Sequence, residues 1–285
     1  MYFLSIKESI EKEGIYTGFY HCPEKWRNIL NQKVSFYKNL TEIKKREFEF
    51  KVQKFFKDYR IIGYDTSIDI TDRILVAAGG VIPVFAFKNW KYSTLEVIYI
   101  VSDDFNDDFK TGTENCEIAG KVTGRYMYLS KPSLHFSFEN PKDRFNIAIH
   151  EFAHFIDFED DEVDGFPNKL LGKNNVVEWY QFLKKIALEK KREMQNRNFI
   201  PNSKKGEIRD YAFTGLGEFF AVMCEYYFEN PESMKEKYPE GYRILHNAFS
   251  SKMKLEFTLP NMMNLKKNTK CPCKSGKRYK NCCLT

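Results

Sequence analysis

The stretch NIAIHEFAHFIDFEDDEVDGFP (146–167) has the apolar spacing of a core helix, yet it places His150, Glu151, His154 and Asp157 inside that helix. A helix advances about 100° per residue, so His150 and His154 stack one turn apart on one face. Asp157, three residues further, falls close to the same face. Polar groups buried there are costly unless they are paired or hold something between them. H-E-x-x-H on a helix is the spacing at which two imidazoles can grip one Zn²⁺. The glutamate beside the first histidine then projects toward the metal's open position, where it can take a proton from water. The competing account is a pair of hydrogen-bonded core histidines.

A catalytic zinc site takes three protein ligands and leaves one position for water. Downstream, YAFTGLGEFFAVMCEYYFENP (211–231) puts Glu218 in the first turn of a helix that is otherwise almost wholly apolar. A carboxylate in that setting needs a partner. Glu225, seven residues on, shares its face and competes for the role. Glu218 is the favoured third ligand, with Glu225 holding a histidine's other nitrogen.

The chain has 285 residues, enough for one large domain or two small ones, and a formal net charge of +6. Lys and Glu are mixed throughout, which argues against a dedicated nucleic-acid binder with its basic residues gathered on one stripe. MYFLSIKESIEKEG lacks the basic head and apolar core of a signal peptide. The longest apolar run, ILVAAGGVIPVFAF (74–87), is too short to cross a bilayer and is interrupted by Gly79, Gly80 and Pro83. The expectation is a cytoplasmic protein with no membrane contact. Cys22, Cys116 and Cys224 stand singly, as reduced thiols do in that compartment.

Residues 1–20 read as an irregular lead-in. Pro23 to Tyr59 is helical in pattern, with Thr41 as a cap, and Thr71 precedes a buried helix over 72–82. TLEVIYIV (94–101) and RYMYLS (125–130) read as strands, with a polar loop between them. Helices are expected over 143–158, 175–197, 218–229 and 240–253. No solenoid repeat is present.

The segments IHEFAHFID, DGFP, and Tyr211 followed by EFFAVMCEYYFENPE resemble the Mlc titration factor A family of zinc-dependent peptidases. PEKWRNILNQKVSFYKNLTEIKKREFEFKVQKFF resembles that family's N-terminal helical region, and the resemblance spans about 22–259. It implies that His150, His154 and Glu218 bind zinc, that Glu151 is the general base, and that Tyr211 donates to the oxyanion. The family usually carries an Asp-Pro pair just before the third ligand; this chain has Gly215-Leu216, with Thr214 as a candidate cap. Asp157 reads as an orienting carboxylate rather than a ligand. RYMYLS reads either as a strand at the cleft border, where β-addition could hold extended substrate, or equally as an ordinary interior strand. The family name also implies a repressor partner.

KCPCKSGKRYKNCCLT (270–285) is a separate object. Cys271, Cys273, Cys282 and Cys283 are enough to close a tetrahedral Zn²⁺ shell, and four protein ligands make such a site structural. The segment resembles the SEC-C motif of the SecA translocase, which implies docking to a protein or ribosomal partner. The expected architecture is α+β: a mostly helical, zincin-like metallopeptidase domain with a small sheet over 1–259, a linker over 260–270, and a zinc knuckle over 271–285. Two Zn²⁺ are expected, one catalytic in a His₂Glu gluzincin site and one structural. The expected activity is peptide-bond hydrolysis. The alternative is a regulatory protein that sequesters a partner.

Overall fold

The computed structural model describes residues 22–113, 115–195, 208–250 and 265–284. Helices dominate. α1 (Glu24–Lys33) and α2 (Ser35–Lys38) lead into α3 (Glu42–Asp58), whose N-cap Thr41 accepts from Lys44 N. A four-stranded sheet has the order β1 (Arg60–Gly63), β2 (Val97–Val101), β4 (Tyr126–Ser130), β3 (Gly120–Thr123). β1, β2 and β4 are parallel, and β3 turns back antiparallel to β4. A parallel pair needs a crossover, and α4 (Ile70–Val81) supplies it between β1 and β2.

α4 starts earlier than expected because Asp69, not Thr71, caps it. Asp69 accepts from Thr71 N and Asp72 N, while the Asp72 carboxylate accepts from Asp69 N. This reciprocal box satisfies two orphan donors, which a threonine two residues later does not. Past α4 the apolar run breaks, and the Lys51 ammonium donates to the Phe85 and Phe87 carbonyls at 2.9 and 2.6 Å.

The remaining helices are α5 (Lys131–Glu139), α6 (Ile147–Asp157), α7 (Asn168–Gln195), α8 (Leu216–Glu229), α9 (Pro231–Lys237) and α10 (Pro239–Ser250). α7 is two helical pieces joined at Gly172, whose φ of 72° breaks the helix. Trp26, Phe152, Phe155, Trp179 and Phe220 are buried at the centre of one core.

Three points of the expected fold are decided by the structure. β1 (RIIG) and β3 (GKVT) were not foreseen as strands; four residues are too few for alternation to register. RYMYLS is an interior strand, the second of its two readings, because β4 is flanked by β2 and β3; the sheet's two edges are β1 and β3. The last expected helix, 240–253, is found as α10, while α9 before it was not expected; the two are separate because Tyr238 leaves helical geometry before Pro239. The lead-in, residues 196–197 and 251–253 of two expected helices, and 260–264 of the linker lie outside the described residues. Among the described residues no helix is long and apolar enough to cross a membrane.

Candidate metal centre

α6 begins where Asn146 accepts from Ile149 N, and its apolar residues sink into the core, carrying His150 and Glu151 with them at 5% and 3% exposure. The two imidazole rings lie 5.0 Å apart, as an i, i+4 pair must. Their Nε2 atoms converge on Glu218 of α8: His150 Nε2 to Oε2 is 2.9 Å, and His154 Nε2 to Oε1 is 3.5 Å. One ligand atom from each of the three residues falls within a 4.8 Å group. Zinc–ligand bonds near 2.1 Å put tetrahedral ligand atoms about 3.4 Å apart, so the donor set fits one such ion.

The second ring nitrogens differ. His150 Nδ1 meets Glu225 Oε1 at 2.8 Å, and the other Glu225 oxygen accepts from Asn146 N at 2.6 Å. Glu225 is fully buried, so a carboxylate from α8 ties both the start of α6 and its first histidine. His154 Nδ1 and Asp157 Oδ1 are buried without a hydrogen-bond partner among the described residues. Asp157 Oδ2 instead accepts from Gly165 N at 2.8 Å. Gly165 has a φ of +77°, and a Cβ there would stand 2.3 Å from Leu216 O. The DGFP turn therefore packs against the first turn of α8, the turn that carries Glu218.

Thr214 is not the cap of α8. Gly215 takes that position without a side-chain bond, while Thr214 Oγ1 donates to Tyr211 O at 2.7 Å and closes the turn beneath Tyr211. Tyr211 is about half exposed, and its ring centre lies 5.8 Å from that of His150. Arg209, which sequence reading missed, reaches Glu225 Oε1 with its guanidinium and lies over the Phe145 ring at 5.0 Å. A lone arginine beside a loop gives no pattern to read.

The charges are strongly coupled. Without a metal, burial pulls the His150 imidazolium down, but the Glu225 charge and the hydrogen bonds of Glu218 and Glu225 outweigh it and push the pKa up to about 10. Burial raises Glu218, yet its bonds to His150 and His154 win and hold it well below the usual carboxylate range. Burial raises Glu151, and the two histidines offset it in part. Burial, with Glu218 and Glu151 nearby, pushes Tyr211 up to about 12.

These groups line a cavity of about 480 Å³ whose other wall is β3. A Cβ at Gly120 would come within 2.6 Å of Glu151 Oε1 and of the Ile147 side chain, so any larger residue there would have to displace them. Asp107 and Lys121 pair at 2.7 Å beside the same cavity.

At the C-terminus the four thiols of Cys271, Cys273, Cys282 and Cys283 gather within 4.8 Å. Cys273 Sγ is 3.5 Å from both Cys271 and Cys282, and Cys282 is 3.7 Å from Cys283. Zinc–sulfur bonds of about 2.3 Å imply tetrahedral S···S separations of about 3.8 Å, so this donor set also fits. All seven cysteines are free thiols.

A family model described as glucose-regulated metallo-peptidase M90 matches residues 12–250, and the SEC-C motif matches residues 268–285. Uncharacterized protein slr2042 of Synechocystis sp. is 26% identical over 238 residues, covering 80% of this chain and 84% of that protein. Mlc titration factor A of Pectobacterium atrosepticum is 31% identical over 106 residues, 37% of this chain and 38% of the relative. Its counterpart in Cronobacter sakazakii is 33% identical over 96 residues, 33% of this chain and 34% of the relative. The chain thus spans little more than a third of the titration factors it matches.

Proposed function

Since the chain belongs to the glucose-regulated metallo-peptidase M90 family and ends in a SEC-C motif, we propose that it is a zinc-dependent peptidase of the His₂Glu gluzincin type. The observation that carries this reading is the convergence of His150, His154 and Glu218 at one wall of a cavity large enough for a peptide. Zinc bound there would supply Lewis acidity to a substrate carbonyl and lower the pKa of water to about 7.

This chain's own groups do the rest. Glu151 accepts the proton of the attacking water and passes it to the leaving amine; its burial and raised pKa suit a group that must both take and give. Tyr211 donates to the oxyanion as it forms. Glu225 holds the His150 ring in place through Nδ1. β3 offers an edge to which extended substrate can add as an antiparallel strand beside Glu151.

Glu151→Gln tests the mechanism. The variant is expected to bind zinc as wild type does and to lose peptide hydrolysis by about 10²–10⁴-fold. Turnover equal to wild type would exclude Glu151 as the base.

A second reading rests on the names of two relatives, which are called Mlc titration factors. On it, the protein sequesters a partner such as a transcriptional repressor, and hydrolysis is secondary. Capture of that partner by Glu151→Gln, with the cellular effect intact, would favour sequestration over cleavage. We place the protein in the cytoplasm, where its free thiols stay reduced, and divide it into a peptidase domain to residue 259, a linker, and a knuckle from 271 that docks a protein or ribosomal partner.

A further inference from the structure

The cysteine knuckle does not stand off from the helical domain. Trp26 of α1 is fully buried, and its indole N–H donates to Cys283 Sγ at 3.2 Å across 257 residues of sequence. The same indole packs edge-on against Phe56 of α3, with ring centres 5.0 Å apart. A second contact lies beside it, where the Lys274 ammonium donates to the Lys57 carbonyl at the end of α3 at 2.7 Å. Cys22, Tyr279 and Cys283 are each at most 5% exposed and belong to the same core as Trp26. The Trp26–Cys283 contact is therefore buried, while the Lys274–Lys57 bond lies at its exposed rim.

An indole N–H in such a place is costly if left without an acceptor. Among the described residues its acceptor is a sulfur of the metal-fitting group. Four thiolates around a divalent ion leave the cluster with excess negative charge, and a donor aimed at one sulfur from outside the shell offsets part of it.

We propose that Trp26 is a positioning residue for the knuckle's metal, so that the metal fixes the chain's C-terminus onto α1 and α3. The knuckle is then a staple of the peptidase domain rather than a module swinging on a tether. The inference rests on the reading that the four cysteines hold a metal.

The test uses the full chain loaded with zinc or with cobalt. Two metals per wild-type chain are expected; a single metal, with the four cysteines free to a thiol reagent, overturns the premise separately from the contact. Trp26→Phe keeps an aromatic ring, smaller than the indole, and removes the donor. It is expected to shift the thiolate-to-cobalt charge-transfer band and to release the knuckle's metal to a chelating dye about tenfold faster, with peptide hydrolysis at the wild-type rate. Cys283→Ser leaves Trp26 in place and is expected to lower the melting temperature of the whole chain by about 2–4 °C. An unshifted band and release rate in Trp26→Phe overturns the proposal. Should Trp26→Phe fail to fold, an unchanged melting temperature in Cys283→Ser overturns it as well.

Discussion

At the scale of single residues, the site depends on who holds the proton before metal arrives. His150 carries a pKa of about 10 in the metal-free chain, so at pH 7 its ring is protonated and shared between Glu218 and Glu225. A histidine ligand must be neutral, so metal uptake must expel that proton. Calorimetry in buffers of different ionisation enthalpy is expected to report about one proton released from this ring per ion bound at pH 7, and affinity that rises with pH up to about 10. Proton-neutral binding would contradict this. Glu225 is the more damaging residue to lose. Its removal would strand the Arg209 guanidinium and open the hydrogen bonds at His150 and Asn146. Glu225→Ala is expected to cost about 3–5 kcal/mol of stability in denaturant unfolding and about 10–100-fold in metal affinity. Asp157 adds a pH signature. Burial pushes its carboxyl up to about 7 from 3.8, so the folded metal-free chain binds more protons there than the unfolded chain does. Stability from this group is complete below about pH 4 and lost as pH rises through 7. Asp157→Asn keeps an acceptor for Gly165 N–H, and its melting temperature should vary less between pH 5 and 8 than that of the wild type.

At the scale of elements, the candidate cleft is made where a helix, a turn and a strand crowd together with little room for side chains. β3 starts at Gly120 against the Glu151 carboxylate. Gly120→Ala should leave the fold and the metal in place while displacing Glu151, lowering kcat by about 10²-fold, because a misplacement near 1 Å is enough to do so. Unchanged kcat would mean that the strand yields instead. The Gly165 contact explains a residue that sequence reading could see but not interpret, whereas Gly120 drew no notice in the sequence. DGFP was legible as a turn from its Asp-Gly pair and its proline. That the turn braces the helix carrying Glu218 was not legible, because Gly165 and Leu216 meet only after α7 has intervened. β1 and β3 escaped notice for a related reason: short strands are defined by the neighbours they pair with rather than by their own pattern.

At the scale of the whole molecule, the two metal-fitting groups lie in two places and the core joins them. Replacing the four knuckle cysteines by serine is expected to lower the zinc content from two per chain to one, as read by mass spectrometry of the native protein. Two zinc ions remaining would place the second one elsewhere. The amino-acid sequence by itself determined the candidate groups: two histidines one turn apart, a glutamate beside the first as candidate base, an acidic residue in an apolar helix, and four cysteines too close together to build a core. Those follow from helix periodicity and ligand spacing, which act over a few residues. Only the tertiary structure decided that Glu218 faces both rings while Glu225 sits behind one of them, that β3 rather than β4 borders the cleft, and that Trp26 meets Cys283. The reason is physical: groups separated by 68 to 257 residues are brought to bonding distance by how helices and sheet bury their apolar faces against one another, and no local pattern encodes that packing.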